Sequence, residues 1–245
     1  MPTPPNRAVS RQPRILVDGL DMSGKTTLVD TLLEQLGAAE VPAIRHRGML
    51  APHHPLAKAL EHLPLEHQYR SSGITAAYLL AFALDAALER FDPPHRGNAV
   101  LVQEGYVDRT IAVGLAGGPF LPAALSLWAA PHFPVFDVAV YLHAPVAVRR
   151  DRLRRRAQPD AGDQHSVDDE GFADRFTSAM LHFLGRRHRK LLVFDSSQCR
   201  PEEMARQVLE AAALPTTVPS PPADSACSPP SPDRANSSTP PRPSR

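Results

Sequence analysis

The densest chemical signal in the chain is GLDMSGKT, Gly19 to Thr26. It fits G-x-x-x-x-G-K-[ST] and lies between an apolar run, ILVD (Ile15 to Asp18), and a helix-period segment. With average glycine usage of about 7%, a chance match in a chain this long is on the order of one in a hundred, before that context is required. The segment therefore reads as a phosphate-binding loop. Its glycines let backbone N–H groups converge on phosphate oxygens, and the following helix adds the positive end of its dipole. In this pattern Lys25 reaches the β- and γ-phosphates and the Thr26 hydroxyl helps hold Mg²⁺. The expected ligand is a nucleoside triphosphate, ATP, with Mg²⁺. The expected binding set is Gly19, Asp21, Met22, Ser23, Gly24, Lys25, Thr26 and Thr27.

A second cluster lies in VLVQEGYVDRT, Val100 to Thr110, where an apolar run ends in two acids, Glu104 and Asp108, with Arg109 beside the second. The carboxyl end of a strand in an open parallel sheet is where loops converge on a ligand. A carboxylate there orients Mg²⁺, directly or through water, or accepts a proton from a hydroxyl acceptor. Glu104 is thus the candidate catalytic acid and, with Thr26, the candidate metal-holding pair. If Tyr106 to Thr110 starts a helix, Arg109 sits about one turn beyond Gly105 and its side chain reaches back into the same cleft.

These residues need a scaffold, and short apolar runs alternating with helix-period segments describe one. ILVD is a strand, and TTLVDTLLEQLG a helix with Leu28, Leu32 and Leu36 on one face and Gly37 at its C-cap. VPAIR near Val41 reads as a weak strand, PLAKALEHL near Pro55 as a short helix, and Ile74 to Phe91 as a long, mostly buried helix. AVLVQE is a strand, as is Val135 to Ala144; Pro145 to Arg156 is a helix, Lys190 to Ser196 a last strand, and RPEEMARQVLEAAAL a closing helix. Strands alternating with helices predict an α/β fold with a parallel sheet covered on both faces.

The chain has 245 residues, 42% hydrophobic content and a formal charge of +1, which fits one soluble globular domain. Two cysteines, Cys199 and Cys227, are too far apart for a metal knuckle and too few for a disulfide framework, so a cytoplasmic location is expected. No apolar run approaches a membrane span, and the proline-interrupted first 13 residues resemble neither a secretory signal nor a transit helix. The folded body is expected over 14–214. Residues 1–13 and the Pro/Ser-rich 215–245 are expected to be disordered.

Several segments resemble the thymidylate kinase family. ILVDGLDMSGKTTL is similar to its phosphate loop, AYLLAFALDAALERF to its long helix, and VLVQEGYVDRTIAVG to its DRY-containing strand and turn. FDVAVYLHAPVAVRRDRLRRR and VFDSSQCRPEEMARQVL resemble its later strand–helix pairs. The resemblance implies a P-loop NTPase-type five-stranded parallel sheet flanked by helices, a mobile lid, a homodimer, and phosphoryl transfer from ATP to dTMP or a related nucleotide or nucleoside-like acceptor. It also implies that Asp21 contacts the acceptor's sugar hydroxyl. The family's acceptor-phosphate arginines do not carry over: Gly105 replaces the arginine of DRY, and Ala86 that of ADR. Arg109, Arg45 or Arg47 is then the substitute guanidinium.

The lid candidate is Arg154 to Phe172, entered by a helix bearing Arg149, Arg150, Arg152, Arg154, Arg155 and Arg156. A mobile guanidinium neutralises charge on the transferring phosphoryl once both substrates are bound. Spacing alone does not choose among the six; Arg154, where the lid begins, stands as the candidate catalytic arginine. No nucleic-acid partner is expected, because acids at Asp160, Asp163, Asp168, Asp169 and Glu170 follow at once. Trp128, Phe82 and Tyr78 read as core in preference to base-stacking residues, and His53 and His54 as a polar loop. Two other readings stay open: a kinase of another small hydroxylated metabolite, and a non-catalytic nucleotide-binding switch.

Overall fold

Three strands buried along nearly their whole length form the middle of the molecule: β1 (Arg14–Gly19), β3 (Val100–Glu104) and β4 (Val138–His143). The computed structural model describes residues 12–47, 72–88, 98–118, 120–157, 164 and 167–216. Within them β2 (Ala43–Arg47) and β5 (Leu191–Asp195) complete a five-stranded sheet in the order β2-β3-β1-β4-β5, every pair parallel. A strand covered on both faces needs apolar residues in succession. β1 supplies them: Ile15 and Val17 join a core with Leu28, Leu32 and Leu36, while Leu16 turns to Phe82, Ile111 and Phe176 on the other side.

The first of those cores lies under α1 (Lys25–Ala38) and a closing helix spanning Pro201–Ala211. The second lies under α2 (Ser72–Leu88), α3 (Val107–Ala116), α4 (Phe120–Ala129) and a helix over Glu170–Ala179. Numbered in chain order, α5 (Val146–Arg154) follows β4, α6 is the Glu170–Ala179 helix and α7 the closing one. The architecture is an α/β fold whose all-parallel sheet is flanked by helices, compatible with a P-loop-type fold. Among the described residues no helix is long and apolar enough to cross a membrane.

Among the described residues the sequence-predicted strands and helices are present with ends moved by up to three residues. The helix near Pro55, His53 and His54, and residues 217–245 lie outside the described residues, as does much of the lid segment. Two expectations need correction. Trp128 is not core: it is 84% exposed on α4, on a face away from buried Ala123. The long helix is not mostly buried: Leu79, Phe82 and Ala86 pack inward, but Leu80 and Leu84 are exposed. Both errors have one cause. The helices are apolar around much of their circumference, so composition does not say which face meets the sheet.

One buried ion pair fixes the start of α3. Arg187 Nε and Nη2 donate to Asp108 Oδ1 and Oδ2 at 2.6 and 2.8 Å, while its Nη1 donates to the Pro134 carbonyl at 3.0 Å. His188 Nε2 lies 3.4 Å from Asp108 Oδ2. Burial works to raise the Asp108 carboxyl, but the Arg187 charge and the hydrogen bonds around it prevail and bring its pKa from 3.8 down to about 2. A depressed carboxylate stabilises the fold fully above its ordinary value and loses that contribution as pH falls toward the folded one. Asp108→Ala should therefore cost about 3 to 5 kcal/mol in denaturant unfolding at neutral pH, by stranding a buried guanidinium. The gap to the wild type should narrow by roughly 2 kcal/mol as pH falls from about 4 to about 2.

Candidate active site

The pairing of β1 with β3 sets Val17 opposite Glu104, and Gly105 N–H continues the ladder to the Val17 carbonyl at 2.9 Å. Two stretches far apart in the chain thereby meet at one sheet edge. The loop between β1 and α1 leaves β1 at Gly19, where φ is +151° and an added Cβ would collide with the Leu142 carbonyl oxygen and lie 2.8 Å from Ser23 Oγ. No side chain fits there. Met22 takes φ +63°, a strained value for a non-glycine residue, and its carbonyl accepts from Arg152 Nη1 at 2.9 Å. Arg152 also donates to Ser196 Oγ at 3.0 Å and to the Ser196 carbonyl at 2.9 Å, tying this loop to the turn after β5.

At the head of α1 the Thr26 hydroxyl donates to Glu104 Oε1 at 2.5 Å. The other oxygen, Oε2, accepts from Arg45 Nη2 at 2.5 Å, and Arg45 Nη1 reaches Asp30 on α1 at 2.5 Å. Glu104 is thus held between the loop's hydroxyl and a guanidinium from β2. Thr26 and Glu104 are adjacent hard-oxygen donors, the chemistry that suits Mg²⁺, an ion that keeps several waters and draws its remaining ligands from phosphate. No cluster of three or more His, Cys, Asp or Glu that could hold a metal occurs among the described residues.

Lys25 curls over the loop, donating to the Gly19 and Leu20 carbonyls at 3.0 and 2.8 Å and lying 3.5 Å from Asp21 Oδ1. Arg109 reaches Asp21 Oδ2 at 2.5 Å from the first turn of α3. Burial works to raise the Asp21 carboxyl, but the Arg109 and Lys25 charges outweigh it and hold its pKa below the ordinary value. Burial lowers the Lys25 ammonium, against the pull of Asp21. The Tyr106 to Arg109 turn is itself braced: His46 Nδ1 lies 2.6 Å from Gln103 Oε1, and Gln103 Nε2 donates to the Gly105 carbonyl at 2.8 Å. Gly105 has φ +69° with open space where a Cβ would stand.

The structure brings Asp21, Lys25, Thr26, Glu104 and Arg109 into one cleft. Ser23 is buried, with no hydrogen-bond partner for its Oγ among the described residues, and Thr27 is exposed. Arg154 is exposed at the end of α5, without a hydrogen bond or ion pair among the described residues. Of the other arginines near the lid, Arg149 is buried with Nε on the Ala144 carbonyl, Arg150 Nε meets the Val167 carbonyl, and Arg155 pairs with Asp151 at the surface. Sequence reading did not single out Arg152 or Asp30. It did not see Asp18 either, although that residue directly precedes the loop.

Asp18 is buried, with Oδ1 accepting from Gly19 N–H at 2.7 Å and Oδ2 lacking a hydrogen-bond partner among the described residues. Burial raises its carboxyl from 3.8 to about 6, against the nearby Lys25 and Arg109 charges. A raised acid holds its proton longer in the folded state, so folding loses stability as pH climbs from about 4 through about 6. Asp18→Asn keeps an acceptor for Gly19 and removes the titration. Its unfolding free energy should gain roughly 3 kcal/mol on the wild type between pH 4 and pH 8, read from denaturant titrations at both ends. A gap that stays constant with pH would show that Asp18 is not the titrating group.

No protein family matches the chain, and neither does any curated protein.

Proposed function

We propose that the protein is a P-loop kinase resembling thymidylate kinase, which transfers a phosphoryl group from ATP to a nucleotide or nucleoside-like acceptor. The observation that carries this reading is the contact between Thr26, at the head of the helix that Lys25 opens, and Glu104, at the end of the neighbouring strand. A loop of the G-x-x-x-x-G-K-[ST] pattern facing a carboxylate across a sheet edge has the parts that phosphoryl transfer needs. Thr26 and Glu104 are the residues that would hold Mg²⁺, which when bound offsets negative charge on the phosphates. Lys25 leaves the Gly19 and Leu20 carbonyls for the phosphate oxygens of the nucleotide. Glu104 receives the acceptor's hydroxyl proton, directly or through water. Asp21 binds an acceptor hydroxyl, and Arg109 and Arg45 hold an acceptor anion. Arg154, exposed at the end of α5, supplies positive charge toward the transferring phosphoryl group.

A second reading, a kinase of a small uncharged hydroxylated metabolite, draws on Gly105 and Ala86. Neither position offers a cation, and Gly105 leaves open space beside the candidate acid. Two partly buried guanidinium groups, Arg45 and Arg109, favour the anionic acceptor, because arginine binds phosphate or carboxylate through paired, charge-assisted hydrogen bonds.

ATP consumption measured with each nucleoside, nucleoside monophosphate and small polyol in turn should identify the acceptor class. Lys25→Ala should abolish turnover in a folded protein, and near-normal turnover in that variant sinks the kinase reading. Glu104→Gln should cut kcat by roughly 10² to 10⁴. Arg109→Ala should raise KM for an acceptor that carries an anion while leaving kcat nearly unchanged, and should leave an uncharged acceptor unaffected.

A further inference from the structure

The reach of a guanidinium is set by its backbone before its rotamer, and the backbone of Arg109 is held through its neighbours. The preceding residue, Asp108, is fully buried, and both of its carboxylate oxygens accept from Arg187. The remaining nitrogen of that guanidinium, Nη1, donates to the Phe133 and Pro134 carbonyls at 3.3 and 3.0 Å. Phe136 N–H donates to His188 Nδ1 at 3.3 Å, which makes that atom the acceptor and puts the proton of the neutral ring on Nε2, 3.4 Å from Asp108 Oδ2. Three residues before Arg109, the Tyr106 carbonyl accepts the Arg109 N–H at 3.1 Å, and the Tyr106 ring stands edge-on between Phe82 and Phe136 at 5.1 and 5.5 Å.

The segment that supplies Arg187 is itself constrained. It continues α6 through a π-helical turn at Met180–Leu184 and a 3-10 turn at Gly185–Arg187. A Cβ on Gly185 would stand 2.6 Å from Leu191 Cδ2 and 2.9 Å from the Met180 carbonyl oxygen, so the chain passes β5 too closely for a side chain. α6 also holds the far end of α3, where Arg175 Nε donates to the Ala116 carbonyl. One continuous stretch, 170–188, thus seats α3 at its start and at its end. π-helical turns are rare, and they recur at functional sites.

A turn held this firmly has a use at the next residue. A long side chain loses freedom when it grips an anion, and a fixed backbone reduces how much must be lost at that moment. We infer that Arg187 and Asp108 are positioning residues for Arg109: their ion pair holds the guanidinium where an anionic group of the acceptor meets it, and so sets affinity for that group without touching it. The inference rests on the reading of Arg109 as a group that holds the acceptor anion. A pair that served the fold alone would change stability and leave the affinity of the folded protein for every ligand as it was.

Calorimetric titration of the full chain without ATP, using dTMP as the anionic probe and thymidine as its uncharged counterpart, separates the two roles. Arg109→Ala should weaken dTMP roughly 10- to 100-fold, the loss of a charge-assisted contact, and leave thymidine within about twofold. Arg187→Lys keeps the charge but not the fork that fits a carboxylate. It should weaken dTMP roughly 3- to 30-fold, as expected of a residue acting through another, and leave thymidine within about twofold. Asp108→Asn keeps one acceptor for Arg187 and should do the same. In the Arg109→Ala background either change should add less than about twofold, because no guanidinium is left to position. Circular dichroism checks that each variant is folded at the temperature of the titration. If the wild type binds dTMP no more tightly than thymidine, or Arg109→Ala leaves dTMP affinity unchanged, Arg109 is not the anion-holding group and the proposal falls with that reading. If Arg109→Ala weakens dTMP but the folded Arg187→Lys and Asp108→Asn variants do not, or weaken it equally in both backgrounds, the proposal alone is overturned. An Asp108→Asn chain that does not fold overturns it too, by showing the pair to be a requirement of the fold itself.

Discussion

The site depends on one pairing, that of β1 with β3. Those strands are not consecutive, and the chain builds α1, β2 and α2 before it returns to lay β3 alongside β1. Only then does Glu104 come opposite Val17, two residues before the loop departs at Gly19. A slip of one residue would turn the Glu104 side chain to the other face of the sheet and away from Thr26. The register is strongly specified because both faces of β1 and β3 are buried: Val100 and Val102 must face the α1 layer, and a slip would exchange them for Leu101 and polar Gln103. Hydrophobic packing far from any ligand therefore sets the distance between the hydroxyl and the carboxylate.

Around that pairing the cleft is assembled from opposite charges held against one another. Arg109 and Lys25 flank Asp21, and Arg45 spans Glu104 and Asp30. In a partly buried cleft such pairs offset the desolvation cost of each member. They also define what a ligand must do. A phosphate that draws Lys25 from two carbonyls, or an anion that draws Arg45 from Glu104, exchanges one satisfied interaction for another. Binding is then a difference between two well-paired states, which favours ligands dense in negative charge over neutral ones. Asp18 lacks such a partner on one oxygen, and its raised carboxyl pKa records the cost.

What the sequence made legible follows from the range of the interactions involved. The strands, the loop at Gly19 to Thr26 and the acid at the end of β3 are written in local pattern: apolar runs, glycine spacing, and a carboxylate where a run stops. Arg45 among several arginines, Arg152 on the Met22 carbonyl, and Asp108 on Arg187 are contacts across 59, 130 and 79 positions. No local spacing encodes them. Asp108 and Arg109 illustrate the limit most sharply. Adjacent in sequence, they look like a pair, yet helix geometry sends them to different surroundings, one into a buried anchor with Arg187 and the other to the loop at Asp21.

That divergence gives α3 two roles in a single turn. Arg187 grips Asp108 and two carbonyls of the segment before β4, so the first turn of α3 is fixed to the body of the protein. The His46–Gln103–Gly105 chain fixes the turn that precedes it. Arg109 follows directly after these two anchors, so that little freedom is left in the backbone that carries it. Its side chain, partly exposed and engaged by Asp21, is the part that can move. An arginine at position 105 would stand on a backbone at φ +69°, strained for any L side chain. Placing the guanidinium four residues later, on a helix whose start is held by these anchors, delivers a cation to the same cleft without that strain.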